Sequence, residues 1–176
     1  MRLPATCALA ALTALTTGAL AAPAPAFAQG VSVSSEVQPA GTATRSMLFM
    51  DLYELTVMDA DGQLTRADLD DEASPKKIEV DVLYGGDMPD IPKGWTSELE
   101  PALPDEKMEA LRERYRSLEK GDVIRAAYEP GYGTVVSVGG DVVMSSGGYE
   151  LMGAFLDIWF GDSPVSGDIK DALLSG

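Results

Sequence analysis

The sequence predicts an α+β domain, and three observations carry that prediction. Residues 76–84 alternate well, with Ile78, Val80 and Val82 on one face, as a half-buried strand does. Residues 104–118 repeat apolar side chains at spacings of three and four, which is typical of an amphipathic helix. The turn sequence Pro130-Gly131 lies between apolar segments, with Val123 and Ile124 before it and Val135, Val136 and Val138 after it, which favours a β-hairpin. The resulting order of strands, helices, strands and helix is α+β.

The first half of the domain reads as a polar lead-in followed by strands. Residues 29–43 form a polar segment that contains Ser, Gly and Pro, and residues 46–58 are rich in Met, Leu, Phe and Val. The second segment predicts one buried strand. Residues 59–62 end in Asp61-Gly62, the dipeptide typical of a hairpin turn. Residues 63–72 are short and acidic, and the alternating strand that follows is ended by Gly85-Gly86.

Two helices and a hairpin follow, and then a last helix. The helices are predicted at residues 95–103 and 104–118, and Lys120-Gly121 ends the second of them. Residues 153–160 carry five large apolar side chains within the last six positions, and Gly161 and Pro164 end this helix. We therefore expect Phe155 and Trp159 to be buried. Residues 169–174 add a short turn.

The first 28 residues predict a secretory signal peptide. Arg2 is the only charge before residue 36, an apolar run follows, and Ala26-Phe27-Ala28 is an A-x-A cleavage site. A transmembrane anchor is the alternative, but threonines, a glycine and two prolines interrupt the run. The only cysteine, Cys7, lies in this leader. We expect a single domain at residues 29–176, without disulfides, in a bacterial periplasm or secreted.

The charge and the residue inventory exclude several functions. Without the leader the chain has 12 basic and 28 acidic residues, a net charge of −16, which disfavours nucleic acid and anionic membrane surfaces. Histidine is absent, which excludes Ser-His-Asp catalysis and the usual zinc sites. A partial calcium loop around Gly62 has Val57 where the first carboxylate belongs. We expect no catalytic residue, no metal site, no cofactor and no stable membrane span.

Arg45 and Tyr53 are the candidate binding pair. They are eight residues apart on the first apolar strand, which places them on one face. A buried arginine needs an anion or other acceptors, and a tyrosine hydroxyl beside it would help to hold a carboxylate or an enolate. The alternative is an arginine at a strand edge that pairs with a surface acid, and a tyrosine that belongs to the core.

The second half of the chain resembles the chalcone isomerase-like family, especially its bacterial secreted members. The resemblance rests on Gly121-Asp122, Tyr128, Pro130-Gly131 and Gly133-Thr134, then on Ile158-Trp159, Gly161, Pro164 and Leu173-Leu174. It extends over about residues 40–176, with Met58 in place of a second strand tyrosine. It implies one antiparallel sheet with helices packed on one face.

The resemblance also implies that isomerase activity is absent. Plant chalcone isomerases use an arginine and a threonine on the early strand and a serine or threonine near the late helix. The matching positions here are Gly41, Tyr53 and Met152, and Arg45 stands where the bacterial proteins carry their arginine. The helical tyrosine and asparagine of the enzymes have no counterpart.

Related plant proteins bind fatty acids between sheet and helices. The implied function is therefore non-catalytic binding of a small apolar or fatty-acid-like ligand, with Arg45 and Tyr53 at its head group. Two alternatives stay open: a structural or interaction protein without a small ligand, and a divergent intramolecular lyase (isomerase). Ligand binding requires Arg45 to face a pocket beside Tyr53, whereas an interaction protein would have it in solvent or paired with an acid.

Overall fold

Six strands form one antiparallel sheet, in which each strand pairs with its neighbours in chain order. The computed structural model describes residues 36–174, and the predicted signal peptide at residues 1–28 lies outside them. The strands are β1 (Gln38–Met47), β2 (Met50–Asp59), β3 (Lys76–Val82), β4 (Val123–Glu129), β5 (Gly133–Val138) and β6 (Asp141–Ser146). The predicted α+β class with an antiparallel sheet is confirmed.

The helices are α1 (Arg66–Leu69), α2 (Lys93–Leu99), α3 (Asp105–Arg116), α4 (Glu150–Phe160) and α5 (Gly167–Leu174), and a 3-10 turn (Glu100–Ala102) follows α2. The three main predicted helices are present, although α4 begins three residues earlier than predicted. At the C-terminal end, α5 is a helix where a short turn was predicted. None of the helices within residues 36–174 is long and apolar enough to cross a bilayer.

The prediction of one strand over residues 46–58 is wrong. A two-residue turn at Leu48 and Phe49 separates β1 from β2, and β1 begins inside the segment predicted to be a lead-in. Both turn residues have positive φ, 49° and 70°. Such turns normally take Asn-Gly, so two apolar residues give no sequence signal for them. Each position stores about 1 kcal/mol of backbone strain or more.

The predicted hairpin at Asp61-Gly62 is also wrong. Gly62 does turn the chain with a φ of 73°, and its N–H donates to the Asp59 carbonyl over 3.4 Å. The chain then runs through α1 before it enters β3, so the connection is long. β2 and β3 nevertheless pair in antiparallel register. Strand β6 was not predicted. Gly139 and Gly140 both have positive φ and form the tight turn that leads from β5 into β6.

The inner face of the sheet and the helices form the core. Leu55, Val57, Ile78, Val80 and Val136 are buried there, while the outer face carries polar groups such as the Arg125–Glu79 ion pair. Phe155 and Trp159 of α4 are buried against the sheet, as predicted. At one end of the inner face, Arg45, Tyr53 and Val82 lie in one cross-strand row.

Candidate binding cavity

A cavity of about 560 Å³ lies between this row and the helices α2 and α3. Its volume is within the range of about 300–1,000 Å³ that is typical of small-molecule sites. The wall is mainly apolar: Met47, Met50, Leu52, Val80, Val82, Met88, Pro89, Pro92, Gly94, Trp95, Leu118, Ile124, Pro164 and Val165. The polar members are Arg45, Tyr53, Tyr84, Asp87, Tyr115 and Ser163. An apolar body with a few polar groups suits an amphipathic ligand.

Close packing of α2 against the segment after α4 closes one side of the cavity. A Cβ atom at Gly94 would come within 2.4 Å of the Val165 side chain, so only glycine permits this approach. The Val165 N–H donates to the Ile158 carbonyl over 2.9 Å, which fixes the segment to α4. Pro92 precedes α2, and its carbonyl accepts the N–H of Trp95. The wall is thus built from rigid elements.

Arg45 and Tyr53 lie directly opposite each other on β1 and β2. The expectation that they share one strand is wrong, because the turn at Leu48 and Phe49 lies between them. Their side chains still share a face, since directly opposed residues of an antiparallel pair do so. Next to this pair the register shifts, and Leu52 has no partner on β1. Such a bulge locally re-aims the side chains beside it.

The Tyr53 hydroxyl has a fixed hydrogen-bonding polarity. Trp159 Nε1 lies 3.0 Å from the Tyr53 oxygen. An indole N–H can only donate, so the tyrosine oxygen accepts and its own proton stays available for another acceptor. Burial raises the pKa of Tyr53, against smaller lowering effects of the Trp159 hydrogen bond and the Arg45 charge. Tyr53 is therefore a neutral donor at neutral pH.

Arg45 is a half-buried cation whose guanidinium has no acidic partner among residues 36–174. Within this range the guanidinium forms no hydrogen bond and has no carboxylate oxygen within 4.0 Å. Other arginines of this acidic chain do pair, for example Arg125 with Glu79 at 2.6 Å and Arg112 with Glu100 at 2.7 Å. The cavity wall thus contains a positive charge that the described protein does not neutralise.

Two further cavity residues, Trp95 and Tyr115, were not singled out by the sequence. Trp95 is buried, and its Nε1 has no hydrogen-bond acceptor among the described residues. Its ring packs edge-on against Tyr53, Tyr115 and Trp159, with centroids 6.4, 5.8 and 5.2 Å away. Burial, with a smaller effect of Tyr53, raises the pKa of Tyr115 to about 12. Both residues lie on helices, where their periodicity indicates only a core position.

The positions that match the arginine and the late serine or threonine of the isomerases have packing roles here. A Cβ at Gly41 would come within 2.6 Å of the Leu173 side chain, because α5 packs on the strand at that point. An arginine at this position would have to displace the Leu173 side chain. Met152 is fully buried in α4 and does not line the cavity.

A buried charged cluster lies at the opposite end of the inner face. Lys76 is 1% exposed, and its Nζ donates to the carbonyls of Asp71 at 2.5 Å and Ser74 at 3.2 Å. Its Nζ lies 3.7 Å from Asp59 Oδ2 and 5.5 Å from the centroid of the Tyr149 ring. Because protein groups surround the ammonium, this cluster fixes the connection between β2 and β3. Among residues 36–174, no group of acidic residues is arranged to hold a metal ion.

Comparison with known proteins gives two findings. The family model described as chalcone isomerase-like matches residues 28–175. Among solved structures, the crystal structure of an Arabidopsis thaliana fatty-acid binding protein is similar, with a TM-score of 0.54 and 15% sequence identity. The match covers 80% of this chain and 87% of that one, and at this identity the likeness concerns the fold alone. No curated protein sequence matches the chain.

Proposed function

The chain belongs to the chalcone isomerase-like family, and from this premise we propose that it binds an amphipathic ligand with an anionic head, such as a fatty acid, in the cavity between sheet and helices. One observation carries the proposal: Arg45 faces an apolar cavity beside Tyr53 and has no acidic partner among the described residues. The solved structure of similar fold is that of a fatty-acid binding protein, which supports the same class of ligand.

The head group would meet two donors. A carboxylate beside Arg45 accepts charge-assisted hydrogen bonds from the guanidinium, the strongest kind available to a neutral-pH site. Tyr53 adds a neutral O–H donor, because its oxygen already accepts from Trp159. Arg45 and Tyr53 therefore match a ligand group that carries negative charge and several acceptor lone pairs. A cationic head group would be repelled by Arg45.

The tail would lie along the apolar wall. Met88, Trp95 and Leu118 line the cavity on its helical side, and Val80 and Val82 line it on the sheet. Removing a methylene group from water stabilises the complex by about 0.8 kcal/mol. Affinity is therefore expected to rise with chain length until the tail fills the cavity.

The decisive titration compares palmitate with 1-hexadecanol, which has the same chain and a neutral head. Binding can be followed by the fluorescence of Trp95, which lines the cavity, and of Trp159 next to it. We expect Arg45→Gln to weaken palmitate binding by about 10–100-fold, the value of a lost charged hydrogen bond, and to leave hexadecanol unchanged. Arg125→Gln removes a charge from the outer face and is the matched control.

Equal palmitate affinity in the wild type and in Arg45→Gln would contradict the role of Arg45. A wild type that binds neither compound would contradict the proposal as a whole and would favour a structural or interaction protein. The proposal is also non-catalytic, since packing occupies the positions of Gly41 and Met152. Added chalcone is accordingly expected to cyclise only at its spontaneous rate, and clear turnover would favour the isomerase.

Export is part of the proposal. The support is the tripartite leader with Ala26-Phe27-Ala28 at its end, and the family match begins at residue 28. Cleavage after Ala28 in a bacterial host would release the domain into the periplasm. The intact mass of the exported protein tests this: a chain that begins at Gln29 supports it, and a chain that retains residues 1–28 contradicts it.

A further inference from the structure

The turn between β1 and β2 exposes four consecutive apolar side chains. Met47, Leu48, Phe49 and Met50 are exposed to 51%, 79%, 107% and 47%. We name these four residues the hairpin tip. None of them belongs to the buried core, and Phe49 is as exposed as a side chain in an extended chain. A solvated turn has no use for this much apolar surface.

The backbone conformation of the turn does not require apolar side chains in the hairpin tip. Leu48 and Phe49 both have positive φ, a conformation that Asn-Gly adopts without strain. Apolar side chains at these two positions therefore make the turn less favourable than it could be. The fold of residues 36–174 therefore does not account for apolar side chains at this turn.

The hairpin tip is continuous with the mouth of the cavity. Met47 and Met50 line the cavity and are also about half exposed. They connect the interior wall to the largely exposed Leu48 and the fully exposed Phe49 without an intervening polar residue. A ligand that leaves the cavity past these methionines would thus meet apolar surface along its path.

We propose that the hairpin tip inserts into an electrically neutral lipid surface, where the protein takes up or releases the ligand of the proposed function. Docking itself depends only on the tip, whereas ligand transfer rests on the proposed function. A protein partner fits less well, because a stable interface needs about 800 Å² from each side and the tip is one convex turn. A lipid surface needs no complementary shape, and aromatic and aliphatic tips partition into it.

The charge of the protein indicates which kind of lipid surface the hairpin tip would enter. The chain without its leader carries −16, and Asp51 stands directly behind the tip, where it accepts a 2.6 Å hydrogen bond from Ser46. Asp87 and the cationic Arg45 both line the cavity, so their charges offset each other there. Asp51 and the large acidic excess of the domain would repel anionic head groups, so binding should be strongest on phosphatidylcholine. It should weaken as anionic lipid is added, most of all at low salt.

The test variant is Leu48→Asn/Phe49→Gly, which installs the residues that this turn prefers and is expected to be at least as stable as the wild type. Flotation of ligand-free protein with phosphatidylcholine vesicles should show at least about tenfold weaker partitioning for the variant. Phe49→Gly alone should lose part of the binding. Tyr132→Ser is the matched control, because Tyr132 is exposed on the β4–β5 turn at the opposite end of the sheet.

Transfer of a fluorescent anthroyloxy-stearate to the same vesicles gives an independent measurement. Docking predicts a transfer rate that rises in proportion to vesicle concentration in the wild type and is independent of it in the double variant. Wild-type protein that does not float with vesicles, or a tip-dependent dimer in sedimentation velocity, would overturn the inference. Palmitate affinity without vesicles should be equal in both proteins, so failed docking leaves the proposed function standing.

Discussion

Trp159 donates its indole N–H to the hydroxyl of Tyr53 over 3.0 Å, and this bond joins the helical core to the cavity wall. One partner is fully buried in α4, and the other lies on β2 opposite Arg45. The bond holds the Tyr53 ring in place and leaves the tyrosine proton available to another acceptor. Removing either partner should therefore have a measurable effect.

Tyr53→Phe is expected to weaken palmitate binding about three- to tenfold, because one neutral hydrogen bond to the head group is lost. It should also lower the free energy of unfolding by about 1–3 kcal/mol, since Trp159 Nε1 is left buried without its acceptor. Fluorescence titration and urea unfolding measure the two effects. Tyr132→Phe removes an exposed hydroxyl and should change neither quantity. Unchanged palmitate binding in Tyr53→Phe would contradict the assigned donor role.

Trp159→Ala should lower the free energy of unfolding by about 3–5 kcal/mol, because it leaves a large cavity among well-packed side chains. Trp159 is 0% exposed and packs edge-on against Trp95 at 5.2 Å. Urea unfolding followed by circular dichroism measures the loss. A loss below about 1 kcal/mol would mean that this face of α4 is not core.

Stability should decrease above pH 10. Burial raises the pKa of Tyr115 from 10.0 to about 12, so the folded chain keeps this proton after the unfolded chain has lost it. At a pH between these two values unfolding releases the Tyr115 proton, so the free energy of unfolding falls as the pH rises. Below pH 10 Tyr115 is protonated in both states and does not make the free energy of unfolding depend on pH. Urea unfolding at pH 9, 10 and 11 measures the slope. Tyr115→Phe should make the slope shallower, and an identical slope would contradict the shift.

Lys76→Met should destabilise the fold by about 3–5 kcal/mol, because it leaves the buried Asp59 carboxylate without its countercharge. Lys77→Met is the matched control: Lys77 pairs with Glu79 on the outer face, and its loss should cost less than about 1 kcal/mol. Both are measured by urea unfolding. Equal effects of the two substitutions would contradict a structural role for the buried lysine, and Asp59→Asn in the Lys76→Met background should recover part of the loss.

The sequence predicted those elements whose local pattern agrees with their final environment. The strand at Ile78 and Val80 alternates because one of its faces is core, and the helix through Met108 and Leu111 repeats because one stripe packs on the sheet. The turn at Leu48 and Phe49 was missed because its backbone needs glycine-like residues and carries apolar ones. Local chemistry and local structure disagree there, and insertion of the hairpin tip into lipid, as proposed above, would account for that disagreement.

The site was predicted only in part, because tertiary structure, and not a local sequence pattern, brings its residues together. Arg45 and Tyr53 were paired by an even spacing along one strand, whereas cross-strand register brings them together. Trp95 and Tyr115 reach the cavity from helices far away in sequence, so no local pattern could link them to Arg45. That Arg45 has no acidic partner among residues 36–174 also depends on tertiary structure, and so no sequence pattern could show it.

Native mass spectrometry of the gently purified protein shows directly whether the cavity holds a ligand. We expect a fraction of molecules heavier than the chain by one fatty acid or similar amphiphile, and a smaller fraction in Arg45→Gln purified in parallel. Added palmitate at 100 times its Kd should raise the free energy of unfolding by about 2.7 kcal/mol. A mass equal to the chain alone, together with no thermal shift on adding palmitate, would contradict ligand binding in this cavity.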